Sequence, residues 1–240
     1  MGLLLPALGA TRQAGQQSVC ASNLRQLVLG NTAYADDHEE HFVPAAEDIF
    51  ERGGGLKRWH GTRADPRGAF KASRGPLARY LGAGTGVRQC PALPKEQIAV
   101  GFEAGNGGYG YNRHYLGGRA DLFGFTPRAA RTTAATYDIM MPSQTVMFCD
   151  TAFLQGRRPR YELIEYSFCE PPMPVGLSAF GRLSPSIHFR HLEATANVGW
   201  ADGHVDPQPM TFTDPPDNPV RLRFGLGWFG PQNNAWFDLN

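Results

Sequence analysis

Ala196-Asn197-Val198-Gly199-Trp200-Ala201 runs directly into Asp202-Gly203, and His204-Val205 follows. Asp-Gly between two such segments is a strong short-range hairpin signal, because both central positions of a two-residue turn need φ > 0. The stretch therefore predicts an antiparallel hairpin folding back at residue 202. Strand signals continue upstream of it. Thr145-Val146-Met147-Phe148-Cys149 is an unbroken apolar run of strand length after Pro142-Ser143. Tyr109-Gly110-Tyr111-Asn112 reads as a short aromatic strand, and residues 161–168 alternate as an edge strand would.

At the other end of the chain the period changes. Residues 3–35 read as one helix, with Cys20, Leu24, Leu27, Val28, Asn31, Tyr34 and Ala35 on a track of three- and four-residue steps. Gly30 costs roughly 1 kcal/mol against Ala, so the helix needs tertiary support. Asp36, Asp37, Glu39 and Glu40 would set like charge on the negative end of the helix dipole, which predicts a stop near Tyr34 or Ala35 and an acidic turn beyond. In between, residues 46–52 suggest a short helix closed by Gly53-Gly54-Gly55. Residues 76–81 suggest another, with Pro76 early and Gly82 after its last turn. Gly101 to Gly110 must be loop. It lacks the GxxxxGK[ST] pattern of a phosphate-binding loop. A helix followed by mainly antiparallel strands is the α+β class: a helix over 1–37 and a loop-rich head over 38–240.

The chain of 240 residues is long enough for a sizeable core. Its 29 glycines and 19 prolines are many, yet below the share of roughly 25–30% that marks disorder. A net charge of +1 gives no electrostatic footprint for nucleic acid or an acidic membrane surface. The basic runs at 63–67 and 157–160 are diluted by acid or proline and read as solvated loops. The longest apolar stretch, Leu3 to Ala10, is broken by Pro6 and Gly9 and falls short of the ~20 residues a bilayer needs. Without a basic flank or cleavage site it is no complete signal peptide, and it reads as the tail of a longer apolar helix.

Four cysteines, Cys20, Cys90, Cys149 and Cys169, form no CxxC pair, which argues against a zinc ribbon or thioredoxin-type site. Their even number permits two disulfides in three connectivities, or four thiols. His191, Asp202 and His204 suit a divalent ion, with His188 or Asp150 as further ligands; the plainer reading is a turn, a strand residue and a surface histidine. His38-Glu39-Glu40-His41 is no HExxH, since its histidines are three apart and lie at a helix end. Ser186, His188 and Asp202 are close in sequence, but no GxSxG accompanies them. The aromatic run Trp228-Phe229-Gly230-Pro231 with Trp236-Phe237 is either core or, if exposed, a surface for sugar or protein.

A series of blocks recurs in a fixed order: Leu4-Leu5-Pro6-Ala7-Leu8; Cys20-Ala21-Ser22-Asn23-Leu24-Arg25-Gln26; Tyr34-Ala35-Asp36-Asp37; Leu77-Ala78-Arg79-Tyr80-Leu81 before Cys90-Pro91; Tyr109-Gly110-Tyr111-Asn112; Pro142-Ser143 through Asp150; Arg190-His191; Ala196-Asn197-Val198; and Ala201-Asp202-Gly203-His204-Val205. Over residues 3–206 this order resembles the pilin-like envelope proteins with a C-terminal "H-X9-DG" signature, relatives of type II secretion pseudopilins and type IV pilins. Two spacings depart from the pattern. One extra residue stands between Cys20 and Asn23. Ten residues, not nine, separate His191 from Asp202, the extra one falling in 192–195.

The resemblance implies a pilin-like fold and a non-enzymatic assembly subunit. Its partners would be other pilin-like subunits, the secretion machinery or cargo. Calcium or another divalent ion in a C-terminal loop would be its only inorganic ligand. It also implies an exported head in the cell envelope, facing the periplasm or exterior, with a membrane anchor and processing junction upstream of Met1. Leu3, Leu4, Leu5 and Leu8 would belong to the filament-packing face, and a Cys20–Cys90 disulfide would tie the helix to a loop. Two other classes fit single features: a secreted β-rich carbohydrate- or protein-binding module on Trp200, Trp228 and Trp236, and a metal-dependent hydrolase on His191, Asp202 and His204.

Overall fold

The computed structural model describes residues 4–82, 87–93, 98–99, 101–157, 159–176, 183–213 and 218–240, with no side-chain description for residues 4–7. It is α+β. Helix α1 (Leu4–Asp36) leads. The strands are β1 (Lys57–Arg58), β2 (Gly61–Thr62), β3 (Ile98–Ala99), β4 (Tyr109–Tyr111), β5 (Val146–Asp150), β6 (Phe153–Arg157), β7 (Arg160–Ile164), β8 (Ile187–His188), β9 (Thr195–Trp200), β10 (Val205–Pro209) and β11 (Leu226–Gly227). The central sheet is antiparallel, in the order β10-β9-β5-β4. A second sheet runs β3-β7-β6, with β3 parallel to β7. β1-β2 and β8-β11 form two small antiparallel pairs. Among the described residues no helix is long and apolar enough to cross a membrane.

Helix α1 is 33 residues long and behaves as two halves. Its second half lies on β5 and β9 and buries Cys20, Asn23, Leu24, Leu27, Val28, Asn31 and Ala35, the apolar track with Asn23 added and Tyr34 half-buried. Each fully buried Leu or Val contributes on the order of 1.5–3 kcal/mol. Gly199 on β9 lets the helix come close: a Cβ there would meet Val28 Cγ2 at 2.8 Å. In contrast, residues 8–19 bury no side chain, and Leu8 is 65% exposed. Pro6, Leu4 and Leu5 lie in the helix but outside the described side chains, and Leu3 lies outside the described residues altogether.

The helix ends where the acidic run begins. Asp36 is its last residue, while Glu39 and Glu40 adopt left-handed φ of 54° and 66°. His38 closes the end by donating from Nδ1 to Tyr34 O at 2.6 Å and stacking on the Tyr34 ring. His41 Nδ1 turns away to Thr133 O, so the two histidines share no site. Asp37 accepts from Tyr80 Oη at 2.8 Å.

Three local expectations need correction. Residues 46–52 form successive turns, not a helix, and residues 76–81 hold only a single 3-10 turn, Ala78–Tyr80. β7 is the middle strand of its sheet, because β3 pairs along the side expected to be free. The hairpin forms at the predicted place with different chemistry. Trp200 N donates to His204 O and Gly203 N donates to Trp200 O, both at 3.0 Å, so the loop is the three residues Ala201-Asp202-Gly203. Of these only Gly203 has positive φ, at 96°, as in a turn followed by a left-handed glycine.

Trp59, Trp228, Phe148, Phe229 and Phe237 are fully buried, and Trp200 is 3% exposed. In the C-terminal aromatic run Trp228, Phe229 and Phe237 are therefore core, and Trp236 packs half-buried against them. Trp228 donates from its indole to Glu170 O at 2.8 Å, which leaves no open aromatic ledge at that tryptophan.

Candidate functional site

At the junction of α1 with the central sheet lies a buried polar cluster. α1 contributes Cys20 and Asn23 because both fall on its inward track. The Cys90-Pro91 turn is pinned by Cys90 N donating to Gly107 O at 2.9 Å. Asp150 ends β5, the segment after β8 contributes Arg190 and His191, and Asn197 belongs to β9. A carboxylate buried without partners would be driven to neutralise, and Asp150 is fully buried. It has four donors instead: Cys20 Sγ at 3.1 Å and Arg190 at 2.5 Å on Oδ1, His191 Nε2 at 3.0 Å and the Asn197 amide at 2.8 Å on Oδ2.

The surrounding groups interlock. Asn23 Nδ2 donates to Tyr109 Oη at 3.1 Å and to Gln89 O at 3.4 Å, and Tyr109 Oη donates to Cys20 Sγ at 3.5 Å. Arg190 also donates to Cys90 Sγ at 3.3 Å and to Gly108 O at 2.8 Å. His191 Nε2 lies 3.8 Å from Cys90 Sγ. Asn197 Nδ2 reaches Gln17 O on α1 at 3.4 Å, and Gln16 Nε2 reaches Pro91 O at 3.0 Å.

These contacts set the charges. Burial disfavours ionised Asp150, but Arg190 and then His191 outweigh it and hold its pKa below the usual carboxylate value. Burial likewise disfavours the imidazolium of His191, yet its hydrogen bonds to Asp150 and Cys90 prevail and lift its pKa to about 9. Cys90 is driven well below the thiol range, first by the hydrogen bond from Cys20, with Arg190 assisting against burial. Burial pushes Cys20 the other way. The cluster thus holds charge of both signs inside the head, and each charge is paired.

The sequence-selected residues divide accordingly. Cys20, Asn23, Cys90, Tyr109, Asp150, His191 and Asn197 converge on this cluster. Leu24 packs in the core beneath it, Tyr111 stacks on Phe148, and Asn112 ties Val146 O and Phe237 O together. Gln26 is half-buried and Pro91 exposed. Tyr34, Asp36 and Asp37 finish the helix. His191, Asp202 and His204 are not brought together. His191 N donates to Thr195 O at one end of β9, while Asp202 and His204 pair with each other at 2.6 Å in the turn beyond the other end. A six-residue strand of roughly 3.3 Å per residue stands between them. The residue added in 192–195 appears as a tight turn with Glu193 and Ala194 in the left-handed region. Ser186 Oγ accepts from Glu170 N and His188 lies beside Arg190, so neither shares a site with Asp202.

The expected Cys20–Cys90 disulfide is not formed. All four cysteines are free and buried, although those two sulfurs lie within 4.8 Å of each other.

Two further buried clusters escape the sequence reading. Glu103 takes a bidentate pair from Arg58 at 2.7–3.1 Å and a hydroxyl from Ser167 at 2.6 Å, and Ser167 Oγ also meets His60 Nε2 at 2.8 Å. Glu170 gathers His114 at 2.5 Å, Arg113 at 3.2 Å and Tyr166 Oη at 2.7 Å. The one sequence signal for the first is that Glu103 is the only charge in Gly101–Gly110. No family model, curated protein or solved structure matches the chain.

Proposed function

We propose that the chain is a non-enzymatic pilin- or pseudopilin-like subunit of a cell-envelope filament or type II secretion-like system. One observation carries this reading: the residues on which the sequence resemblance rests fasten the second half of α1 to the sheet, while the side chains of residues 8–15 of the same helix are all exposed. A helix with one half locked into a head and the other half exposed is suited to side-by-side packing with identical helices. Leu8 and Val19, 65% and 51% exposed, are the described apolar side chains available for it. The Asp150 cluster acts as the fastener in this reading, so its ionised groups hold a joint and transform no substrate. In the cell the head would face the periplasm or exterior, anchored by apolar helix upstream, with other pilin-like subunits, secretion machinery or cargo as partners.

The test is Leu8→Cys in the full reading frame, expressed in its own cells and treated with a short bis-maleimide. A cross-linked dimer in the envelope fraction is expected, since each subunit carries one exposed thiol and its four native cysteines are buried. Monomer alone, released with the soluble fraction, would overturn the proposal.

A further inference from the structure

The residues that fasten α1 also offer one ligand atom each from two thiols, a carboxylate and an imidazole. Cys20 Sγ, Cys90 Sγ, an Asp150 oxygen and a His191 nitrogen all lie within 4.8 Å of one another, and all four residues are buried. From this geometry we infer that Cys20, Cys90, Asp150 and His191 form a structural binding site for a thiophilic divalent cation of the zinc class.

The spacing suits that ion. Tetrahedral zinc with bonds of about 2.0–2.3 Å sets its ligands roughly 3.3–3.8 Å apart. The structure gives 3.8 Å for Cys90 Sγ to His191 Nε2, 3.1 Å for Cys20 Sγ to Asp150 Oδ1, and 3.0 Å for His191 Nε2 to Asp150 Oδ2. The remaining separations are within 4.8 Å, so shifts of about 1 Å bring the four atoms to tetrahedral spacing. The donor set selects the metal: two sulfurs and an imidazole favour zinc-class ions over calcium or magnesium, which take oxygen. Charge also balances. Two thiolates and a carboxylate against a dication leave one negative charge, and Arg190 stands 3.3 Å from Cys90 and 2.5 Å from Asp150 to neutralise it. One Asp150 oxygen on the ion leaves the other for Arg190.

A route from solvent exists. His191 and Arg190 line a surface pocket of about 210 Å³ together with Gln13, Gln16, Ala92 and Glu193. Among the described residues His191 Nδ1 is buried and has no hydrogen-bond partner, which leaves that nitrogen for the outer partner that metal-bound histidines use. The ligands come from α1, the Cys90 loop, β5 and the segment after β8, so an ion there would cross-link four separate pieces of chain and stabilise the fold by its binding free energy.

This inference is independent of the assembly proposal: it is read on the isolated chain, and a monomer with a filled site would overturn only the other. The test is a cobalt(II) titration of the full chain, purified reduced, stripped of bound metal with a chelator and exchanged into chelator-free buffer. We expect one equivalent bound with a thiolate-to-cobalt charge-transfer band, displaced by zinc. Cys90→Ser should reduce the band to that of the one remaining thiolate and weaken binding by at least ~10-fold, while Cys149→Ser should leave it unchanged. If Cys90→Ser fails to fold, alkylation mapping of the wild type decides: zinc must slow labelling of Cys20 and Cys90 and leave Cys149 and Cys169 unchanged. Folded wild type without a charge-transfer band, labelling of Cys20 and Cys90 indifferent to zinc, or a Cys20–Cys90 linked peptide in protein from its own cells would each overturn the inference.

Discussion

Cys20 Sγ and Asp150 Oδ1 lie 3.1 Å apart across 130 residues of sequence. That contact joins the middle of α1 to the end of the central strand β5. It places a carboxylate with four donors where the helix changes from exposed to packed. Asp150 simultaneously answers Arg190 and His191, so the joint rests on a paired charge inside the protein, and removing one partner strands the others.

Asp150→Asn is nearly isosteric but removes the counter-charge of both cations. Breaking a buried pair by deleting one partner costs about 3–5 kcal/mol. The urea midpoint should fall accordingly, with loss of helix signal in the same transition because α1 is held at this point. An unchanged midpoint would mean that the cluster does not fasten the helix.

Asn23→Ala removes the donor to Tyr109 Oη and Gln89 O and leaves both short of a partner, at about 1–3 kcal/mol. Tyr109→Phe, combined with it, removes one of the orphaned groups. The double variant should therefore lose less than the two single losses added together, by on the order of 0.5 kcal/mol or more. Strict additivity in a thermodynamic cycle would count against the bond.

Much of this architecture is legible locally, and most of the site is not. The inward track of α1 shows in the spacing of Leu24, Leu27 and Val28, because a helix repeats its face every three or four residues. β5 and β9 show as apolar runs, and the turn at Gly203 shows because only a short list of residues tolerates that backbone. The turn type is not so visible. Asp202-Gly203 satisfies both a two-residue and a three-residue loop, and the pairing of Trp200 with His204 decides between them. Asp150 and His191 stand out through the ordered motif and as candidate ligands, but grouped with Asp202 and His204 and not with Cys20 and Cys90. Arg58, His60, Glu103 and Ser167 do not stand out at all, since the hydrogen-bonded pairs among them lie 45–107 residues apart and leave no local periodicity to read.

His60 makes the pH dependence of the head predictable. Burial first, then Arg58 and Arg63, lowers its pKa from 6.5 to about 3. The folded protein keeps the ring neutral while the unfolded chain takes up a proton below about pH 6.5. This contribution is complete above that pH and is lost as pH falls, down to the folded value near 3. Between pH 6.5 and 5 the loss is on the order of 2 kcal/mol. Urea midpoints at pH 7 and 5 should differ in the wild type, and the difference should shrink in His60→Gln, which keeps a side chain able to meet Ser167. Equal pH slopes in the two proteins would refute the assignment.

Gly199 controls how closely α1 sits on the sheet. A Cβ at that position would lie 2.8 Å from Val28 Cγ2, and Val28 is itself fully buried, so neither group has room to retreat. Gly199→Ala should cost about 1–3 kcal/mol as overpacking, even though Ala is the better strand residue by propensity. Val28→Ala opens a void and is destabilising alone, by an amount typical of deleting buried methyl groups. Placed together, the two changes fill each other's defect: the new methyl group occupies part of the space that the lost ones leave. The double variant should therefore be more stable than Gly199→Ala alone, read from urea midpoints on the same day and buffer. If Val28→Ala instead adds its full cost on top of Gly199→Ala, the helix does not press on β9 at this point, and the packing of α1 described above would have to be redrawn.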